Sequence, residues 1–125
     1  MLSIITSSAK KLDQVLAALA NEKRRRIVYS LGLQPASIGQ LAKQQRLSLP
    51  AIHRHIKVLE KAKLVRRKKS GRVNFLALDR TGLLFMQDWI RQYHAYWGTN
   101  EETLENYIAS IEKSHNKLTK LKKKK

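Results

Sequence analysis

Apolar residues recur at steps of three and four through most of the first hundred positions, broken at short intervals by residues that end or begin helices. Leu12, Val15, Leu16 and Leu19 fall on one face of a helix over 13–20. A second helix begins near Glu22 and buries Ile27, Val28 and Leu31 before Gly32 stops it. LQPAS reads as a turn, because Pro35 disfavours helix at Gln34, and Ser37 is placed to cap a third helix, IGQLAKQQ. RLS makes a tight connection in which Leu47 drops into the core and Ser48 caps the next helix. Pro50 suits that helix's first turn, where a missing N–H has no intrahelical duty. From Leu49 to Ala62, Ile52, Ile56 and Leu59 form the packing face, and His53, Arg54, Lys57 and Lys61 occupy the rest.

The pattern then changes period. LVRRKK and RVNFLAL are strand-like runs about the Ser70-Gly71 turn, with Val73, Phe75 and Ala77 alternating as the packed face of a half-buried strand. Helix, short turn, helix with a cationic outer face, then basic hairpin is the arrangement of a winged helix-turn-helix, whose second helix fits the major groove of DNA. The predicted fold is therefore mainly α with a small β-hairpin, a winged helix-turn-helix carrying a helical C-terminal dimerisation extension. Leu83 to Trp97 reads as one helix crowded with Leu84, Phe85, Trp89, Ile90, Tyr93 and Trp97, more apolar surface than an isolated helix leaves in water. Beyond Gly98, Thr99 caps a last helix with Glu101 and Glu102 in its first turn. Along that helix Leu104, Ile108, Ile111, His115 and Leu118 recur at alternating steps of four and three, a seam that wants another helix. The expected division is a DNA-binding domain with dimer helices over 1–98 and a helix with a lysine tail over 99–125.

Charge sharpens this picture. The chain carries 26 Lys and Arg against 9 Asp and Glu, a net +17, which draws it to polyanions, nucleic acid first among them. The positive charge is segregated: residues 46–74 hold ten cations and one acid, whereas residues 75–112 hold two cations and six acids. Such segregation points to a dedicated binding surface rather than a uniformly solvated one. Seven further lysines lie in 113–125. The absence of cysteine removes any disulfide framework or thiolate metal site, which fits a reducing cytoplasm. No stretch approaches the roughly 18 uninterrupted apolar residues of a membrane span, and MLSIITSSAKK lacks the basic segment that precedes a leader's apolar run. A soluble cytoplasmic protein without membrane attachment is expected. No Ser-His-Asp set, paired carboxylates, glycine-rich phosphate loop or HExxH offers catalysis a foothold, so no catalytic residue and no cofactor is expected.

Three segments in order resemble the ArsR (ArsR/SmtB) family of winged-helix transcriptional regulators: LDQVLAALANEKRRRIVYSL, LSLPAIHRHIKVLEKAKLVRRKKSGRVNFLAL and the aromatic WIRQYHAYW. The likeness runs from about Leu12 to Trp97. It implies a homodimer whose interface is built from the first and last helices, two recognition helices presented to successive major grooves, and cytoplasmic repression of nearby genes. The positions that resemble the family's base-reading set are Leu49, Pro50, His53 and Arg54. Many members have glutamine in place of Leu49 and serine in place of His53, so the operator expected here differs from the commonest one. Lys68, Lys69 and Arg72, with Arg67 beside them, match the basic wing that touches phosphate or minor groove. Metal-sensing members carry paired cysteines before the recognition helix, where this chain has ASIGQLAK. Others use aspartate and histidine pairs on the C-terminal dimer helix, where Asp88 is followed two residues later by Ile90. With His94 and His115 far apart in sequence, no tight shell of about four ligands forms, and no metal is expected.

Individual residues divide between roles. Arg54 suits bidentate recognition of guanine; Ser48, Lys57 and Lys61 suit backbone contact; His53 faces bases or solvent, and His55, two positions on, faces phosphate or packs. Arg24, Arg25 and Arg26 form either a solvated face or a second backbone contact. Leu12, Leu16, Leu84, Trp89, Tyr93 and Trp97 read as dimer interface, with a ligand pocket between subunits as the other reading of the aromatic set. The function expected is a homodimeric sequence-specific repressor on an inverted repeat. The alternative is an architectural protein that coats DNA without reading it, kept open by the +17 balance and by Leu49. RNA binding lacks the exposed aromatic platform usual for single strands.

Overall fold

In the computed structural model, which describes residues 2–123, the chain forms two compact units, divided in the sequence between Arg91 and Gln92. The first holds α1 (Leu2–Leu19), α2 (Glu22–Leu33), β1 (Ala36–Ser37), α3 (Ile38–Gln45), α4 (Leu49–Lys61), β2 (Val65–Ser70), β3 (Val73–Leu78) and α5 (Arg80–Arg91). The second holds α6 (Thr103–Lys123) and the irregular segment before it. The core of the first unit is one cluster in which Val15, Ile27, Leu41, Ile52, Ile56, Leu59, Leu64 and Leu76 are fully enclosed. One residue or more from each of α1, α2, α3, α4, β2 or its lead-in and β3 thus reaches the same apolar centre.

Local chemistry explains most boundaries. α1 begins well before the expected position 13, since nothing from Leu2 to Leu12 is glycine or proline. Asn21 caps α2 by accepting the Arg24 N–H at 3.2 Å. Gly32 does not stop that helix. It continues to Leu33, and Gln34 turns extended ahead of Pro35. α3 opens with a reciprocal capping box: Ser37 Oγ accepts the Gln40 N–H at 3.1 Å while Gln40 Oε1 accepts the Ser37 N–H at 3.0 Å.

Two helix ends share one device. At the end of α3 the Leu47 N–H donates to Ala42 O at 2.9 Å, with Arg46 in left-handed backbone at φ 54°. At the end of α4 the Leu64 N–H donates to Leu59 O at 2.9 Å, with Lys63 at φ 60°. Both are Schellman-type ends that fold an apolar residue, Leu47 or Leu64, back onto the core. The left-handed position favours glycine, and a side chain there costs about 1–2 kcal/mol. Lys63→Gly is therefore expected to stabilise the fold by up to about 1 kcal/mol, part of the gain being offset by the looser unfolded chain. A rise in the urea midpoint at unchanged slope is the check.

Two features of the sheet depart from expectation. LQPAS is not only a turn, because Ala36 and Ser37 pair with Leu76 and Phe75 and make a third strand, giving the antiparallel order β1-β3-β2. The packed face of β3 is also the opposite one. Leu76 is 1% exposed and Leu78 packs on the core, while Val73 and Phe75 are each 44% exposed. The reason is volume: two leucines fill the space over α2 and α3 better than Ala77 does, and a one-residue phase change turns every side chain over.

The aromatic segment is not one helix. α5 ends at Arg91, so Trp89 and Ile90 lie on it, but Tyr93 and Trp97 belong to the second unit. There Trp97 meets Tyr107 edge-on, with ring centres 5.6 Å apart, and its carbonyl accepts from Asn106 Nδ2 at 2.6 Å. Thr99 caps a turn rather than the last helix itself, which begins only at Thr103 with Glu105, not Glu101 and Glu102, in its first turn. Its Oγ1 accepts the Glu102 N–H at 3.3 Å and donates to Glu102 Oε1 at 2.8 Å, within a turn that leads into α6.

Candidate nucleic-acid interface

α4 is built to be both anchored and presented. Ser48 Oγ accepts the Ala51 N–H at 3.3 Å, Pro50 sits in the first turn, and Ile52, Ile56 and Leu59 fix the inner face in the core. With 100° per residue the outward face then carries Pro50, Arg54, Lys57 and Lys61, all exposed. Glu60 lies on the flank toward the hairpin, Leu49 lines an open hollow with Gly39 and Lys43 of α3, and Ala51, His55 and Val58 line the flank toward Arg24 of α2. Leu49 is 55% exposed, an apolar side chain at the leading end of a cationic helix. A thymine methyl group is the base feature such a side chain can meet.

The hairpin stands beside that helix. Gly71, at φ 63°, makes the turn between β2 and β3, and the register pairs Arg66 with Ala77, Arg67 with Leu76, Lys68 with Phe75 and Lys69 with Asn74. Residues directly opposite share a face. Arg67 therefore lies on the side of Leu76, toward α4, and its Nη2 meets Glu60 Oε1 at 2.7 Å. An ion pair this accessible contributes at most about 1 kcal/mol to stability, but it ties the wing to the recognition helix. Arg66 and Lys68 lie on the opposite side with Phe75, and Arg72 is exposed at the turn. Arg66 was absent from the sequence-derived wing set; the strand register, invisible until the pairing is known, is what puts it beside Lys68.

The three arginines of α2 have work inside the protein. Arg24 Nε donates to Ala18 O at 2.7 Å and its Nη2 to Ala17 O at 3.3 Å, while Arg25 Nη1 donates to Leu19 O at 2.8 Å. These are the last carbonyls of α1, which have no partner within their own helix. Arg26 pairs with Glu22 at 2.7 Å. Arg24 also reaches His55 on α4, its Nη1 lying 3.5 Å from Nδ1. Arg24, Ala51, Arg54, His55 and Val58 line an open hollow of about 330 Å³ on that flank.

Burial, followed by the positive charges of Arg24, Lys23 and Arg54, holds the His55 imidazole below its ordinary pKa. An arginine N–H aimed at Nδ1 suits the neutral ring. The folded chain thus binds the proton less readily than the unfolded one, so the His55 contribution is fully present above the ordinary value near 6.5 and is lost as pH falls through it. Unfolding stability is expected to drop between pH 7.5 and 5.5, and His55→Gln is expected to flatten that slope. Urea melts at the two pH values check both. Asp79 is also lowered, by a different balance of causes. Burial alone would raise it, but the N–H and hydroxyl of Thr81, with Arg66 and Lys63 nearby, together hold its carboxyl below the ordinary value, so it stays an ionised cap at the start of α5.

The expected interface residues are distributed. α1 packs along α5, where Lys11 Nζ lies 5.4 Å from the Phe85 ring centre. Leu12 is part-buried, while Leu16, Leu84 and Trp89 are exposed on this pair of helices. Among the described residues no three histidine, aspartate or glutamate side chains converge as a metal site, and no helix is long and apolar enough to cross a membrane.

A cationic helix held outward by a helix-turn-helix, with a basic hairpin clipped beside it, defines a winged helix-turn-helix DNA-binding protein. The family model for a helix-turn-helix domain matches residues 19–68. The HTH-type transcriptional regulator Rv2034 of Mycobacterium tuberculosis is 35% identical over 95 residues, which span 72% of this chain and 89% of that protein. The crystal structure of an ArsR family transcriptional regulator matches with a TM-score of 0.63 at 30% identity, over 67% of this chain and 87% of that one. HlyU from Vibrio cholerae matches with a TM-score of 0.56 at 29% identity, over 68% and 94%. The chain belongs to the ArsR family of winged helix-turn-helix transcriptional regulators. It is a transcriptional regulator with a helix-turn-helix DNA-binding domain, and its relatives fall in a non-enzymatic class.

Proposed function

We propose that the chain is a homodimeric repressor of the cytoplasm that occupies an inverted repeat, reading bases through Leu49, Pro50, His53 and Arg54. In this reading Ser48, Lys57 and Lys61 hold the phosphate backbone, and Lys68, Lys69 and Arg72 grip the flanking DNA. The observation that carries it is the outward face of α4, where an arginine, two lysines and a proline are exposed on a helix whose opposite face is locked in the core. A sequence-independent coat needs charge but not such rigid presentation. Arg67, paired with Glu60, acts as the clip that sets the wing's position rather than as a phosphate contact. The exposed Leu16, Leu84 and Trp89 of α1 and α5 supply the apolar surface that a second copy would cover. In this reading no metal switches the protein: ASIGQLAK has no thiolate and Asp88 has no histidine two residues on.

Selection of bound fragments from random duplex DNA in about 150 mM salt tests the reading, because diffuse attraction beyond roughly 8 Å is then screened. The expected product is a palindrome with half-sites about one helical turn apart. Tight binding without any motif would overturn it in favour of an architectural protein, and a protein that stays monomeric on DNA would remove the symmetric dimer.

A further inference from the structure

The lysines of the second unit have no role in the reading above. On α6, Lys113, Lys117 and Lys120 follow at steps of four and three, and all three are exposed. At 100° per residue they fall within about 60° of arc, and at 1.5 Å per residue they span about 10 Å of one face. That face lies opposite the stripe of Leu104, Ile108, Ile111 and Leu118. No acid stands three or four residues from any of the three, and among the described residues the ion pairs formed are Arg26 with Glu22 and Arg67 with Glu60. The acids of this segment, Glu101, Glu102, Glu105 and Glu112, all precede Lys113, and residues 113–125 hold none.

We propose that this lysine face is a second contact for duplex DNA, outside the helix-turn-helix, and that it holds backbone phosphates without reading bases. A helix face built only for solvation gains from acids three or four residues from each cation. Here Lys117 has a like charge on either side instead, and an anion brought alongside relieves the repulsion. The helix dipole does not account for the arrangement, because its pull fades within the last turn and Lys113 stands about three turns before the end at Lys123. A polyanion of closely spaced charge fits best: duplex DNA carries about one negative charge per 1.7 Å of axis, so a face of about 10 Å meets several phosphates at once. Lipid fits less well, since a helix lying on a membrane with its apolar stripe inward would aim these three lysines away from the headgroups. The helix-turn-helix binds the same chain to DNA, so α6 meets the duplex at the raised local concentration that a covalent link gives. This contact depends on the chain's binding DNA, and not on which bases α4 reads or on whether the protein represses.

Full-length protein carrying Lys113→Gln, Lys117→Gln and Lys120→Gln together tests the contact, because glutamine removes the charge and keeps the helix propensity. Affinity for a scrambled duplex is measured by fluorescence anisotropy over a range of salt concentrations. The logarithmic slope is expected to become shallower by up to about 2.7, at about 0.9 for each phosphate given up. Lys113→Arg, Lys117→Arg and Lys120→Arg together are expected to keep the wild-type slope, which separates lost charge from a damaged helix. Lys10→Gln, Arg80→Gln and Arg91→Gln remove as much charge from exposed positions of the first unit. A slope change as large in that control would overturn the proposal, and so would an unchanged slope in the glutamine triple of α6. Preference for a selected operator over the scrambled duplex is expected to stay the same in that triple, and a fall in it would overturn the sequence-independent role. The scrambled-duplex slope is readable even where no operator is selected, so failure of this contact and failure of the repressor reading give different results. Vesicles of anionic phosphatidylglycerol give the rival surface its chance: loss of vesicle binding in the triple, with the duplex slope unchanged, would assign the face to lipid instead.

Discussion

Arg54→Ala is expected to weaken binding to the selected operator by about 1–3 kcal/mol in each half-site, roughly 5- to 150-fold, and far less on a scrambled duplex. Arg54 stands at the centre of the exposed face of α4, one turn beyond Pro50 and with Lys57 and Lys61 further along the same stripe. Guanine offers two acceptors on its major-groove edge, and the guanidinium matches both at once, whereas a lysine at this position supplies one mobile charge. Lys57→Ala is the useful contrast, because a phosphate contact is lost equally on every sequence. Fluorescence anisotropy with operator and scrambled duplexes separates the two. If Arg54→Ala lowers both affinities by the same factor, Arg54 reads no base.

The second large effect concerns the seat of α5. A Cβ added at Gly82 would lie 2.6 Å from Ala62 O, 2.9 Å from Lys63 O and 3.0 Å from Leu64 Cδ2. Two of these three atoms are backbone carbonyls at the end of α4 and cannot swing aside. The close approach is required by the bond it serves, since the Gly82 N–H donates to Lys63 O at 2.7 Å. Gly82→Ala is thus expected to destabilise the first unit by about 1–3 kcal/mol, as overpacking against fixed atoms does. For a domain this size each kcal/mol lowers the melting temperature by about 4–8 °C. Gly39→Ala is the control. It meets nothing within 4 Å in a helix, so a neutral or slightly stabilising change is expected there. Calorimetric melts of the two variants decide it, and an unchanged Gly82→Ala midpoint would mean that α5 is free to lift off the end of α4.

The recognition helix was legible in the sequence because every signal for it is local: a serine cap, a proline in the first turn, and a clean apolar stripe at 52, 56 and 59. The third helix was legible for the same reason. β3 was readable as a strand but not in its phase, since VNFLAL offers apolar residues to both faces and only Leu76 and Leu78 against α2 and α3 decide between them. β1 is two residues long and exists through its partner alone. The aromatic helix was drawn too long because no glycine or proline precedes Gly98; what turns the chain after Arg91 is not a breaker in the sequence but the folding back of Trp97 onto Tyr107 and Asn106. Arg24 and Arg25 looked the same as any solvated cations, and their pairing with α1 carbonyls is set by the angle between two helices, which no spacing encodes. Arg67 and Glu60 lie seven residues apart across a helix end and a strand, so their contact was likewise hidden.

Arginines committed to the protein's own oxygens carry a thermodynamic corollary for DNA binding. Association with a duplex draws its salt dependence from the cations that displace ions condensed on the phosphates, about 0.9 in the logarithmic slope for each phosphate neutralised. Arg24 and Arg25 are held by hydrogen bonds to helix carbonyls, and Arg26 and Arg67 pair with Glu22 and Glu60, before any duplex arrives. The count of 26 lysines and arginines therefore overstates how many side chains are free to meet phosphates. In the proposed reading, the response to ionic strength is expected to follow the smaller group of lysines and arginines that the fold leaves exposed along α4, the hairpin and α6.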